Sequence, residues 1–244
     1  VVYGDSNVLA RFSPIEDTFP AKLAELLSAG LSRDVEVINS GVVGFGPDQS
    51  LLKMAGEMDQ LAPDLIVFHI FADNDFGDLL RNRLFELDET GELVETSHPR
   101  RPDPHFTGES PFWSSLLLVR AVRKVLDPYW NATALQYQYD VYRSGGEQVA
   151  SHFADVFDTD LALYPDSPSA LTKRALMDGT LKRVEQLAAQ RGIDIVAVIQ
   201  PSAFDLTTNL SPNFETFSEV ESYSPRNLTR FANASAEAAG LRVV

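Results

Sequence analysis

Residues 64–75 read DLIVFHIFADND. A strand with one wet face alternates apolar and polar residues, whereas this run is apolar almost throughout. It therefore reads as a strand covered on both faces, the environment of a parallel sheet flanked by helices. The run then stops abruptly in a polar turn, ADND at 72–75. Working outward in both directions, the same pattern returns. The chain opens on VVY, which breaks at once into Gly4, Asp5 and Ser6. Phe19, Leu23, Leu26 and Leu27 follow helical spacing, with Thr18 placed as N-cap and Pro20 near the helix start. VEVIN at 35–39 reads as a second strand and GVVGFG at 41–46 as a glycine-rich loop. Leu51, Leu52, Ala55, Met58 and Leu61 then mark another amphipathic helix.

Beyond the central strand the rhythm lapses from about 77 to 167, a stretch of prolines, aromatics and charges that reads as an insertion or lid with one apolar helix around 112–126. It resumes with a helix around 169–190, a fourth strand IDIVAVIQP at 193–201, and a helix lined by Leu228, Phe231, Ala234 and Ala238. Gly240 ends that helix and LRVV begins a fifth strand. Alternating strands and helices predict a single α/β domain over 1–244: a doubly wound parallel sheet of about five strands, with the long insertion after the third. Polar turns fall at the C-terminal ends of the first three strands, the edge where such sheets bind ligands.

Composition bounds the function. The 244 residues are 44% apolar, enough for a substantial core. Thirty-five acidic against 20 basic residues leave a net charge of -15, and the densest basic cluster, HPRRPDPH at 98–105, is short and proline-broken. That balance repels a phosphate backbone, so nucleic acid is not an expected partner. The absence of cysteine removes thiolate nucleophiles and Cys-based zinc sites. No apolar stretch approaches the roughly 20 residues of a membrane span. The loop at 41–46 has the spacing G-x-x-G-x-G, the reverse of the dinucleotide fingerprint, so no nucleotide cofactor is expected, and the preferred reading needs no cofactor. The elbow G-x-S-x-G is absent because Val8 stands where its second glycine would be.

Taken in order, GDS at 4–6, NSGVVGFG at 39–46 and ADND at 72–75 resemble the blocks of the SGNH (GDSL-like) hydrolases, esterases and acyl hydrolases with a three-layer flavodoxin-like fold. The resemblance runs from residue 1 to about 80 and more loosely through the last strands. It implies that Ser6 is the nucleophile, that Gly44 supplies a backbone oxyanion donor, and that Asn74 supplies a side-chain one. The chemistry suits those residue types. A backbone N–H can face a developing oxyanion only where the chain comes close, which glycine permits, and an asparagine adds a neutral donor. The implied substrate is a small-molecule, carbohydrate or lipid-like ester.

The chain departs from the pattern at Ala10 and Ala72, where the family often has glycine, and both substitutions are expected to be tolerated. The family's base is a histidine in an Asp-x-x-His block after the fifth strand, and none of these residues spells one. The expectation is that this block lies downstream of Val244. Of the four histidines, His69 lies mid-strand as a core or site-lining residue, while Glu95 and His98 form only a chance Glu-x-x-His pair. His105 and His152 could each fold over Ser6 as a substitute base. Three other readings stay open: an acyl-binding domain without turnover, an acyltransferase, and a metal-dependent phosphoesterase using Asp5, Asp73, Asp75 and Asp78. Aromatics in the insertion, including QYQYDVY at 136–142, serve either as lid packing or as a wall for an acyl chain or sugar ring.

Overall fold

The computed structural model describes residues 1–97, 158, 161–162, 164–202, 224 and 226–244. These belong to one compact unit, formed by Val1–His98 together with Val149–Val244. Its elements run β1 (Val2–Gly4), α1 (Ser6–Leu9), α2 (Phe19–Leu31), β2 (Asn39–Gly41), α3 (Pro47–Leu61), β3 (Leu65–Phe71) and α4 (Asp75–Asn82). A short hairpin of β4 (Phe85–Leu87) and β5 (Leu93–Glu95) follows, then α5 (Pro168–Gln190), β6 (Asp194–Gln200), α6 (Asn227–Ala238) and β7 (Arg242–Val243).

The main sheet is parallel throughout, in the order β2-β1-β3-β6-β7. Reading only its five strands, this is the 2-1-3-4-5 order of flavodoxin-like folds, whose direction of growth reverses between the first and third strands. The expected α/β class with a five-stranded parallel sheet is thus the observed one. Alternate residues of β3 face opposite layers. Ile66, Phe68 and Ile70 join Tyr3 and the inner faces of α3, α4, α5 and α6 in the larger core. Val67 meets Val2 of β1 and Val8 of α1 on the other side, with Leu23 of α2 packed against them. Both faces of β3 are therefore dry, which is what its unbroken apolar run requires.

Two boundaries differ from the sequence reading. The second strand falls on Asn39–Gly41, because the ladder begins where Val2 pairs with Asn39 and Gly4 with Gly41. Residues 75–95, mostly assigned from sequence to the insertion, form α4 and the hairpin, and Phe76 and Leu79 are buried in the larger core. Their apolar signal is short, and buried aspartates interrupt it. At the far end of the expected insertion Leu161 and Ala162 are likewise buried in the larger core, while the helix around 112–126, the aromatic stretch at 136–142, His98, His105 and His152 lie outside the described residues.

Ala10, one of the departures, caps α1 with φ 48 and ψ 44. That left-handed conformation explains the preference for glycine at this position, since a Cβ there costs about 1–2 kcal/mol. Ala72 is fully buried and its N–H donates to the Gln200 carbonyl at 3.0 Å, with no positive φ to favour glycine. Gly41 is needed for a different reason: a Cβ would lie 2.6 Å from the Leu9 backbone nitrogen and 2.7 Å from Val8 Cβ. Equilibrium urea unfolding should find Gly41→Ala destabilised by about 1–3 kcal/mol, as overpacking against backbone generally is. Ala10→Gly should instead be stabilised, by up to about 1 kcal/mol once glycine's extra chain entropy is set against the relieved strain.

Candidate active site

Three turns leave the C-terminal edge of β1, β2 and β3, and each carries one of the residues singled out from sequence. The first is the shortest. β1 ends at Gly4, and Asp5 caps α1 by accepting the Asn7 N–H at 2.8 Å through Oδ1 and Asn7 Nδ2 at 2.9 Å through Oδ2. Ser6 is the first helical residue and is exposed, while Asp5 before it and Val8 after it are buried. The turn can be this tight only because Gly4 lacks a side chain: a Cβ would sit 2.6 Å from Val8 Cγ2 and 2.9 Å from His69 Cβ.

His69, on β3, occupies the space beside Gly4. Its imidazole is buried, with Nε2 3.0 Å from Gln200 Oε1 and Nδ1 3.7 Å from Asp5 Oδ1. Burial holds the imidazole below its usual pKa, against the opposing pull of the Asp5 carboxylate and the Gln200 hydrogen bond. Nδ1 is buried without a hydrogen-bond partner. His69 thus lines the underside of the Ser6 turn, as a core or site-lining histidine would.

The second turn holds Gly44. The Val42 N–H donates to the Gly4 carbonyl at 3.0 Å, and the Phe45 N–H closes a turn on the Val42 carbonyl at 3.2 Å. Gly44 stands third in that turn with φ 75, the torsion a type II turn demands and glycine supplies. It is exposed, and no atom lies within 4 Å of where a Cβ would be. In such a turn the Gly44 N–H belongs to the central peptide and takes no part in the closing hydrogen bond.

Asn74 stands in the third turn, at the N-cap position of α4, and its side chain makes no capping bond. Its Oδ1 is buried without a partner while the residue as a whole is partly exposed. Asp75 shapes this turn by accepting the Phe71 N–H at 2.7 Å. Burial first, then the charges of Asp5 and Asp78, pushes the Asp75 carboxyl well above the usual carboxylate range.

The four aspartates of the metal reading each have a protein partner: Asn7 for Asp5, the Ser202 hydroxyl at 2.9 Å for Asp73, the Phe71 N–H for Asp75, and Arg81 at 2.5 Å for Asp78. Sequence reasoning passed over what joins the second and third turns. Asn82 Nδ2 donates to Asp48 Oδ1 and to Gln49 Oε1, both at 2.8 Å, and Gln49 Oε1 also accepts the Gly46 N–H at 3.3 Å. Arg81 Nη2 donates to the Gly44 carbonyl at 3.0 Å. The only signal for this in the sequence was the helical spacing of Asp78, Arg81 and Asn82.

No family model matches the chain, and no curated protein does. Among solved structures it is similar to the crystal structure of AlinE4, an SGNH-hydrolase family esterase, at 14% identity and a TM-score of 0.44, over 100% of this chain and 72% of that one. No helix among the described residues is long and apolar enough to cross a membrane.

Asp48 makes the site's packing sensitive to pH. Its Oδ2 is buried without a partner, and burial pushes the carboxyl from 3.8 up to about 7 against the opposing hydrogen bonds from Asn82 and Gln49. Between those values the native protein keeps a proton that the unfolded chain has released, so this group's contribution to stability falls as pH rises through the window. Asp48→Asn retains an oxygen for Asn82 and Gln49 without the charge. Relative to wild type, its urea-unfolding free energy should improve by at least about 1 kcal/mol between pH 5 and pH 8; parallel profiles would contradict the assignment.

Proposed function

We propose that the protein is a serine esterase or acyl hydrolase of the SGNH type, acting on a carbohydrate acyl ester or a lipid-like ester. One observation carries the reading. Ser6 and Asn74 follow β1 and β3, the two strands that flank the reversal of strand order, and the crevice at such a reversal is where open α/β sheets take their ligands. Gly44 follows β2, the other neighbour of β1, in a conformation that leaves its N–H outside the turn's own hydrogen bond.

In this mechanism Ser6 Oγ attacks the ester carbon, forming a C–O bond while the carbonyl electron pair moves onto oxygen. The Gly44 N–H and Asn74 Nδ2 donate to that oxyanion, and because they are fixed in advance they need no reorientation as charge develops. The serine proton passes to a general base, the role that the family resemblance gives to an imidazole. Collapse breaks the bond to the leaving alcohol, which takes up that proton. Water then repeats the sequence on the acyl-enzyme, releasing the carboxylic acid and restoring Ser6. An alcohol in place of water turns the same intermediate into an acyl transfer, and product analysis with a glycerol or sugar acceptor distinguishes the two.

The direct test is covalent labelling of the full-length protein by a fluorophosphonate, in which Ser6 Oγ bonds to phosphorus as the P–F bond breaks and fluoride and a proton leave. Mass spectrometry should find the adduct on Ser6, and Ser6→Ala should abolish it. A folded protein that remains unlabelled would instead be an acyl-binding domain without turnover. Asn74→Ala should slow turnover of an activated ester about 100- to 1,000-fold, the loss that follows removal of one oxyanion donor elsewhere.

A further inference from the structure

We propose that Arg81 is a positioning residue for the oxyanion site, its guanidinium fork holding the Gly44 peptide in register with the Asn74 turn. The inference rests on the esterase reading above. It starts from a weakness of the Gly44 turn. Gly44 is exposed, its φ is 75, and nothing lies within 4 Å of where its Cβ would be, so no side-chain packing fixes the torsions that aim its N–H. Hydrogen bonds have to do so. The turn's own closing bond, from Phe45 to Val42, sets its ends but leaves the central peptide free to rotate. Arg81 Nη2 adds a hold on the peptide that follows, through the Gly44 carbonyl at 3.0 Å.

That hold is fixed at its other end. Arg81 Nη1 pairs with Asp78 at 2.5 Å, and the Asp78 side chain is buried in the same helix that begins beside Asn74. α4 is in turn fastened to the start of α3. A Cβ on Gly46 would meet Asp78 Cβ at 2.7 Å, so the Asp78 side chain packs directly on the Gly46 backbone. Asn82 bridges Asp48 and Gln49 immediately beyond. One short segment, 78–82, therefore reaches from the helix that starts at one oxyanion donor to the turn that carries the other. Only a planar fork makes both bonds at once; a lysine ammonium keeps the charge without that geometry.

The experiment measures the rate of Ser6 labelling by a fluorophosphonate over a range of probe concentrations, which separates the maximal rate from probe affinity. Arg81→Ala should lower the maximal rate about 10- to 100-fold with affinity unchanged, the scale expected when reacting groups are displaced by about an ångström. Arg81→Lys should show a similar fall, and added methylguanidine should restore part of the rate of Arg81→Ala. Arg191→Ala, which removes an exposed pair with Asp59 before the start of β6, should label like wild type. Should Arg81→Ala fail to fold, Asp78→Asn, which leaves the guanidinium in place but loosens its anchor, should reduce the maximal rate. Full labelling in Arg81→Lys, or an unchanged maximal rate in Arg81→Ala or in folded Asp78→Asn, would overturn the role of the fork while leaving the esterase reading intact. A full-length wild-type protein that never labels at Ser6 would instead remove the esterase reading itself.

Discussion

The structure depends on β3 being dry on both faces. Its seven residues pair along their whole length with β6, and its alternate side chains feed two separate cores. A strand so placed has no freedom to slip, because a shift of one residue would send Phe68 into the thin layer beneath α1 and expose the space it now fills. Its C-terminal end is consequently a fixed point. From it hang Asn74, the Asp75 bond that shapes the turn, and α4. His69, two residues before that end, fills the space that Gly4 leaves open.

The close packing of neighbours against glycine backbone is the second organising feature. Gly4, Gly41 and Gly46 each stand where a Cβ would lie 2.7 Å or less from a neighbouring atom. At Gly4 and Gly41 the neighbours are Val8 and Leu9 of α1, so the Ser6 turn is pressed between β1, β2 and β3. At Gly46 the neighbour is Asp78 of α4. Contacts of this kind tie the three turns to one another through short, stiff distances, and a preorganised site needs stiffness more than it needs additional contacts.

Polar residues inside this edge carry a thermodynamic penalty. Asp48, Asp75 and Asp78 are buried, and for Asp48 and Asp75 burial raises the carboxyl pKa. Burying such groups opposes folding unless hydrogen bonds offset the lost solvation. Here the bonds they accept come from the Gln49 N–H, from Asn82 and Arg81, and from the Phe71 N–H. All of these surround the candidate site. The arrangement fits a region selected for geometry over stability.

The sequence by itself determined the α/β class, the parallel sheet and the order of its five strands with α2, α3, α5 and α6, because burial on both faces leaves an uninterrupted apolar run and helices leave a 3.6-residue period. It also pointed to Ser6, Gly44 and Asn74 through a family resemblance, since each alone is ordinary turn chemistry and only their order, each directly after a strand, singles them out. The Asp78, Arg81 and Asn82 contacts across to Gly44, Asp48 and Gln49 were decided only in the tertiary structure. So were the pairing of His69 with Gln200 and the reassignment of 75–82 to a core helix. Each joins residues more than 30 positions apart or buries charges that look solvated in a linear reading. A side chain's partner across such a distance is chosen by how the layers stack, and no local pattern records that choice.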